Sequence, residues 1–175
     1  GSSRTLKRML RRYDREGYLE CVRRLRAAIP GLSITTDVIV GFPGETDDDF
    51  AETISAVEEV GFDDAFTFKF SPREGTPATR LPQELAVPDE VASRRLERLF
   101  ETVRAGSRSR NLAMLGRRCE VLVEKAARRG ELLQARTRDF KTVLLPAGAG
   151  PIGSYLEVTL NGTTGSTFTG QVARK

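Results

Sequence analysis

Histidine is absent from these 175 residues, which removes Ser-His-Asp and Cys-His catalysis and every His-ligated metal site. Cysteine is nearly absent. Cys21 and Cys119 stand too far apart for a metal knuckle and too few for a disulfide framework, and they read as core or surface thiols of a reducing cytoplasm. No run approaches the roughly 18 apolar residues of a membrane helix. The first twelve residues hold five bases and no apolar core, so no secretory signal is legible and the expected location is cytoplasmic. Residue 1 is Gly, not Met, which fits a piece of a longer chain or a processed one.

What remains is an ordinary globular composition, 39% hydrophobic and 30% charged, long enough for one large domain or two small ones. The net charge of +4 is unevenly spread. Residues 1–116 hold 18 bases against 19 acids, whereas residues 117–175 hold 10 against 5. The whole positive excess therefore lies in the last third, either as a solvated face or as a polyanion-binding tail on a mixed-charge body.

Two textures follow one another. Up to about residue 116, helical periods alternate with β-branched runs. Tyr18, Val22, Leu25 and Ile29 predict one stripe of a helix that starts at an Asp14 cap and stops at Pro30-Gly31. Residues 33–40 read as a buried strand with Asp37 inside it. Thr46 and Asp49 form a capping-box pattern ahead of a helix striped by Phe50, Ile54 and Val57. Phe66, Phe68 and Phe70 alternate along a strand with one aromatic face. Residues 71–88 carry four prolines and read as a long loop. Residues 89–115 read as a long helix striped by Ala92, Leu96, Leu99 and Val103. This order predicts βα units with a largely parallel sheet. After Gly116 come five short strand-length runs (119–123, 131–138, 141–145, 155–160 and 166–173), with Asn161-Gly162 as a hairpin turn. They predict a small barrel of the OB-like size class, with the domain boundary at 115/116.

Gly41-Phe42-Pro43-Gly44-Glu45-Thr46 joins strand to helix. A phosphate loop is argued against by Glu45, Asp47, Asp48 and Asp49, which crowd the helix N-terminus and suit its dipole themselves. The open alternatives are a plain βα turn and a ligand held by backbone atoms at the strand's C-terminal end. Asp37 needs donors wherever it is buried. A Ser, Thr or Arg partner and a pair of ribose hydroxyls are both open.

Three blocks, Leu6–Tyr13, Thr35–Thr46 and Phe62–Ala78, closely resemble the radical S-adenosylmethionine (SAM) methylthiotransferases. The nearest branch is the MiaB type, which methylthiolates isopentenyl-adenosine beside the tRNA anticodon. The tail is similar to the TRAM domain that ends those enzymes. The resemblance implies an α/β partial (β/α) barrel fragment, residues 1–115, followed by a TRAM-like RNA-binding β-barrel, residues 116–175. It makes this chain the C-terminal half of such an enzyme, with tRNA and SAM as partners and no membrane. Position by position, it places the cofactor's ribose on Asp37, its methionine carboxylate on Arg11, and its adenine on Ile39, Val40, Gly41 and Phe42. The sequence departs from the family's G-x-I-x-G-x-x-E form, with Asp37 at the first Gly and Gly44 at the Glu. Glu74 stands where Pro is common.

The family holds [4Fe–4S] clusters on cysteine trios, and neither trio is in these residues. No catalytic or metal-binding residue is therefore assigned, and the chain by itself is expected to be inactive. The absent strands of the partial barrel imply an open, apolar sheet edge prone to self-association. In the tail, Arg117, Arg118, Lys125, Arg128, Arg129, Arg136, Arg138 and Lys141 are the candidate RNA contacts. Phe140, Tyr155 and Phe168 are few, so phosphate and shape contacts are expected ahead of base stacking. The alternatives are the family branch that modifies an aspartate of a ribosomal protein, against which 67–70 and Arg73 argue, and a non-catalytic RNA-binding fragment.

Overall fold

The structure is a computed structural model that describes residues 1–127 and 131–173. Compact packing divides it into residues 1–106 and 107–175. The split falls inside a helix, ahead of the composition change at 115/116, because the end of that helix packs with the second unit: Asn111, fully buried, donates to the Gly165 carbonyl at 2.6 Å.

In the first unit the order is α1 (Ser3–Arg8), α2 (Arg15–Ala28), β1 (Thr35–Val40), α3 (Asp47–Val60), β2 (Asp64–Lys69) and α4 (Asp89–Leu112), whose end passes into the second unit. Capping explains the helix starts. Asp14 accepts from the Gly17 amide at 2.8 Å, and Thr46 and Asp49 close the expected capping box. The strands β1 and β2 pair in parallel, with Asp37 beside Phe66 and Ile39 beside Phe68. Helices α2, α3 and α4 bury one face of this sheet through Leu19, Val22, Val57, Val60, Leu99 and Val103. The proline-rich segment 71–88 holds two short 3₁₀ turns, Pro77–Arg80 and Gln83–Leu85.

Two expectations change here, and the aromatic face of β2 is placed. The inward stripe of α2 is Leu19 and Val22, with Tyr18 at its margin, while Leu25 and Ile29 are exposed. The inward row runs on from Val22 to Arg26, which donates to Gly61 O at 3.2 Å, and this turns Leu25 and Ile29 toward solvent. Strand β1 is half-buried rather than buried: Val40 is in the core, but Thr35, Asp37 and Ile39 face outward. The aromatic face of β2 is likewise open, with Phe66 66% and Phe68 48% exposed, and Phe70 lies past the strand end against Phe42. Both follow from a two-stranded sheet covered on one face only.

The second unit is a closed five-stranded barrel of β3 (Arg118–Ala126), β4 (Leu132–Thr137), β5 (Thr142–Pro146), β6 (Tyr155–Thr163) and β7 (Thr167–Val172), in the order β3-β4-β5-β7-β6. Alternation puts Val121, Val123, Ala135, Val143, Leu145, Val158, Leu160 and Phe168 inside. Asn161-Gly162 is not the hairpin turn. It is a bulge within β6, where Asn161 accepts from Thr169 Oγ1 at 2.9 Å and a side chain at Gly162 would collide with that same hydroxyl. The reversal comes three residues later, at Gly165, whose φ of 104° any other residue would strain to adopt.

Candidate functional site

A pocket of about 130 Å³ opens between α1, the segment 9–13, β1 and α3. Arg11, Asp37 and Ile39 all line it, together with Tyr13, Tyr18, Thr36 and Val38. Arg11 is brought there by the way α1 ends. Leu10 takes φ +57°, the Leu10 amide donates to Lys7 O at 3.0 Å, and the Arg11 amide donates to Leu6 O at 2.9 Å. This is a Schellman closure with leucine where glycine is usual, and it reverses the chain so that Arg11 follows directly into the pocket wall. Asp37 arrives from the outward face of β1. Tyr13 and Tyr18, rings 6.0 Å apart, are pocket residues that sequence reasoning misses, because the spacing of Tyr18 places it on the core stripe of α2. Burial pushes the Tyr18 phenol up, partly offset by a hydrogen bond with Thr36.

Val40, Gly41 and Phe42 do not line this pocket. Val40 and Phe42 are buried, and much of the backbone around them is occupied: Phe70 N donates to Val40 O at 2.8 Å, Gly41 N to Glu45 Oε1 at 2.9 Å, and Glu45 N to Phe42 O at 2.9 Å. Gly41 itself has φ +73°, and a Cβ there would lie 2.7 Å from that of Ala92. The 41–46 turn is thus packed against α4.

A polar frame fixes that turn. Glu45 is buried and pairs with buried Arg95 at 2.8 Å, and Arg95 also reaches Glu45 O at 3.2 Å and Asp47 at 2.7 Å. Burial pushes the Glu45 carboxyl up, against the lowering effect of the Gly41 amide and Arg95. On the other side Arg8 donates to Pro43 O at 3.2 Å, Arg4 binds Asp49 and Thr46, and Ser2 donates to Asp49 at 2.6 Å. The Arg4 guanidinium, then Ser2 and Thr46, hold the Asp49 carboxyl well below the usual carboxylate range. The acidic run read as dipole complement is therefore also the docking site of α1 and α4.

The cysteines offer nothing to a metal. Cys21 is exposed on α2, and Cys119 lies in the barrel with its thiol pushed up by burial and then by Asp139. Among the described residues no three His, Cys, Asp or Glu side chains cluster as a ligand set, and no helix is long and apolar enough to cross a membrane.

On the barrel, Arg117, Arg118 and Lys125 are exposed. Arg136 pairs with Glu124 at 2.7 Å and Arg138 with Glu120 at 2.8 Å, so two expected phosphate contacts already carry partners. Lys141 is a correction: it is buried, because the tight turn after β4 folds its backbone onto Thr137. Arg128 and Arg129 lie outside the described residues. Of the three aromatics, Phe168 is core, while Phe140 and Tyr155 are exposed.

The radical SAM superfamily profile matches residues 1–57. Curated relatives named tRNA-2-methylthio-N(6)-dimethylallyladenosine synthase are similar over nearly the whole chain. A protein of Thermus thermophilus is 44% identical over 172 residues, 98% of this chain and 37% of its own length. That of Oceanobacillus iheyensis is 46% identical over 93% of this chain and 31% of its own length, and that of Acetivibrio thermocellus 41% over 99% and 36%. The chain thus spans about a third of the length of the curated relatives it matches.

Proposed function

We propose that this chain is the C-terminal part of a tRNA-modifying enzyme, a radical SAM methylthiotransferase of the MiaB type, a reading supported by the profile match over residues 1–57 and by relatives of 41–46% identity. Residues 1–115 would end its radical SAM domain as part of a (β/α) barrel, and residues 116–175 would be its TRAM-like RNA-binding module, supported by the last turns of α4. The reaction would place a methylthio group on isopentenyl-adenosine next to the anticodon. The relatives are named for tRNA and none of those above for a protein substrate, so the ribosomal-protein branch is not favoured.

One observation carries the reading of the site: Arg11 and Asp37, from different elements, line one pocket beside β1. Its volume falls short of the roughly 300–1,000 Å³ of a complete small-molecule site, as expected of one wall of a larger one. The donor set suits SAM, with a guanidinium for a carboxylate and a carboxylate for vicinal hydroxyls. When bound, SAM supplies the methyl group and the radical initiator of this chemistry. Asp37 would accept from the ribose, Arg11 would orient the methionine end, and Ile39 would offer apolar contact to the adenine. Val40, Gly41 and Phe42 would act by shaping the turn. The Glu45–Arg95 pair keeps that turn rigid, so the pocket edge is in place before binding. Iron–sulfur clusters, expected as the [4Fe–4S] type, find no ligand set among the described residues, and in this reading cysteines of the remainder of the enzyme would hold them.

In the full-length protein, Asp37→Ala should weaken SAM binding by about 1.5–3 kcal/mol, the worth of hydrogen bonds to a charged acceptor. Calorimetric titration reads this directly, and unchanged affinity overturns the assignment. For the tail, tRNA affinity should fall with salt at a log–log slope of several units. Because Arg136 and Arg138 are tied to glutamates, reversing Arg117 and Arg118 should reduce that slope more than reversing the paired arginines. A slope near zero would retire the electrostatic footprint.

A further inference from the structure

We propose that the outer face of β3, β4 and β6 is a stacking platform for unpaired RNA bases, with Phe140 and Tyr155 as its ring surfaces. This rests on the reading of the barrel as an RNA-binding module, and it adds which face takes the bases and by what chemistry.

Phe140 sits in the tight turn between β4 and β5. Its amide donates to Thr137 O at 3.1 Å, the Thr137 amide donates to Lys141 O at 3.0 Å, and the Lys141 amide donates to Thr137 Oγ1 at 2.9 Å. These bonds fix Phe140 at φ +64°. In such hairpin turns the left-handed position ordinarily falls to glycine, and a bulky residue there is a steric outlier. The ring gains no burial in return, since Phe140 is 78% exposed. The fold is therefore strained to hold an aromatic side chain in water. Nor is that ring loose. The Arg136 guanidinium lies 5.8 Å from its centroid, donates to Phe140 O at 3.2 Å, and is itself fixed by Glu124. A ring oriented before the ligand arrives loses little freedom on binding.

The second ring lies along the same row. Leu122 is opposite Arg136 on one side and opposite Tyr155 on the other. Their neighbours Val121, Val123 and Ala135 point into the core, so this row points out. Tyr155 is 65% exposed. Arg136 and Tyr155 lie two strand spacings apart along the barrel surface, about 10 Å, with β3 between them. Charge decides what this face takes. Arg136 and Arg138 pair with Glu124 and Glu120, and Arg118 on the same side of β3 is offset by Glu157 on β6, so the face carries no net charge and offers little pull on phosphate. The exposed Arg117 and Lys125 supply that pull. A neutral aromatic surface within a cationic module is suited to base faces, and in a duplex those faces are already stacked on one another. Base stacking, given little weight by the aromatic count alone, is thus the specific contribution of this face.

The test is fluorescence anisotropy with the 175-residue chain, a labelled single-stranded oligoribonucleotide of about ten nucleotides, and the duplex of the same sequence, at several salt concentrations. Phe140→Leu and Tyr155→Leu should each raise Kd for the single strand about five- to tenfold, the low end of the stacking range. The salt slope should stay the same, and the duplex should be little affected. Tyr155→Phe should restore what Tyr155→Leu loses. Phe140→Gly guards against misfolding: it should raise the thermal midpoint by relieving the turn while lowering affinity. If the wild-type chain binds RNA and the Leu variants bind equally well, the platform falls and the RNA reading stands. If the wild type binds no RNA at low salt, both fall. If the Leu variants abolish self-association in sedimentation without changing RNA affinity, the face is a contact between copies and the platform falls.

Discussion

Replacing Arg95 by Met should cost about 3–5 kcal/mol of folding stability at neutral pH, the usual penalty for stranding one partner of a buried pair. Arg95 bridges Glu45 on the strand-to-helix turn and Asp47 at the start of α3, and Glu45 in turn accepts the Gly41 amide. Without the guanidinium, the Glu45 carboxylate keeps only one amide donor in a buried site. The pH dependence follows from the sign of its shift. Burial already pushes this carboxyl up, and removing Arg95 pushes it further. A carboxyl raised in the folded state favours folding when protonated, and that contribution is lost as pH rises through the folded value. The deficit of Arg95→Met should therefore narrow on acidification from pH 7 towards pH 5 (approximate bounds set by ordinary and raised carboxyl values). Adding Glu45→Gln should recover much of the loss at pH 7. Urea unfolding followed at the helical circular-dichroism band measures both effects. A loss below about 1 kcal/mol that ignores pH would mean the pair contributes no more than an exposed one.

Asp49→Ala should cost about 2.5–4 kcal/mol, from one capping box at about 1 kcal/mol and one charge-assisted hydrogen bond at about 1.5–3 kcal/mol. Asp49 ties α1 to α3 by accepting from Ser2, Arg4 and the Thr46 amide, and α1 leads directly into Arg11. The effect should reach the pocket as well, as weaker SAM binding in the full-length protein. Its acid dependence runs opposite to that of Glu45. Arg4 above all depresses this carboxyl, so its stabilisation is complete above the unfolded value of about 4 and is lost as pH falls through the folded one. Asp49→Asn, which keeps the cap shape without the charge, should therefore differ from wild type at pH 7 and approach it below about pH 4. Parallel acid-unfolding curves for the two proteins would contradict this role.

Much of the architecture was legible in the sequence because it is local. Asp14, Thr46 and Asp49 carry the capping chemistry that starts helices, Pro30-Gly31 stops one, and inside–outside alternation marks the barrel strands. The family resemblance was legible for the same reason, since Thr35–Thr46 is one contiguous strand and turn whose glycines answer a positive φ and a close approach to Ala92. Arg11 and Asp37 could be named from sequence, but their meeting in one pocket could not.

What the tertiary structure decided was which face each element shows and who answers each charge. Ile39, Phe66 and Phe68 look like core residues in one dimension, yet they are exposed because helices cover only the other side of β1 and β2. Glu45 and Asp49 look like members of an acidic surface run, yet they are buried because Arg95 and Arg4, distant in sequence, fold onto them. Asn161-Gly162 has the composition of a turn, but its barrel position makes it a bulge against Thr169. Lys141 is buried and Phe140 exposed, the reverse of what hydropathy alone favours, because a hydrogen-bonded turn fixes their backbones before side-chain preference acts. Periodicity and capping act over a few residues and can be read along the chain. Burial, ion pairing and strain depend on what the fold brings alongside, and no neighbour in sequence reveals it.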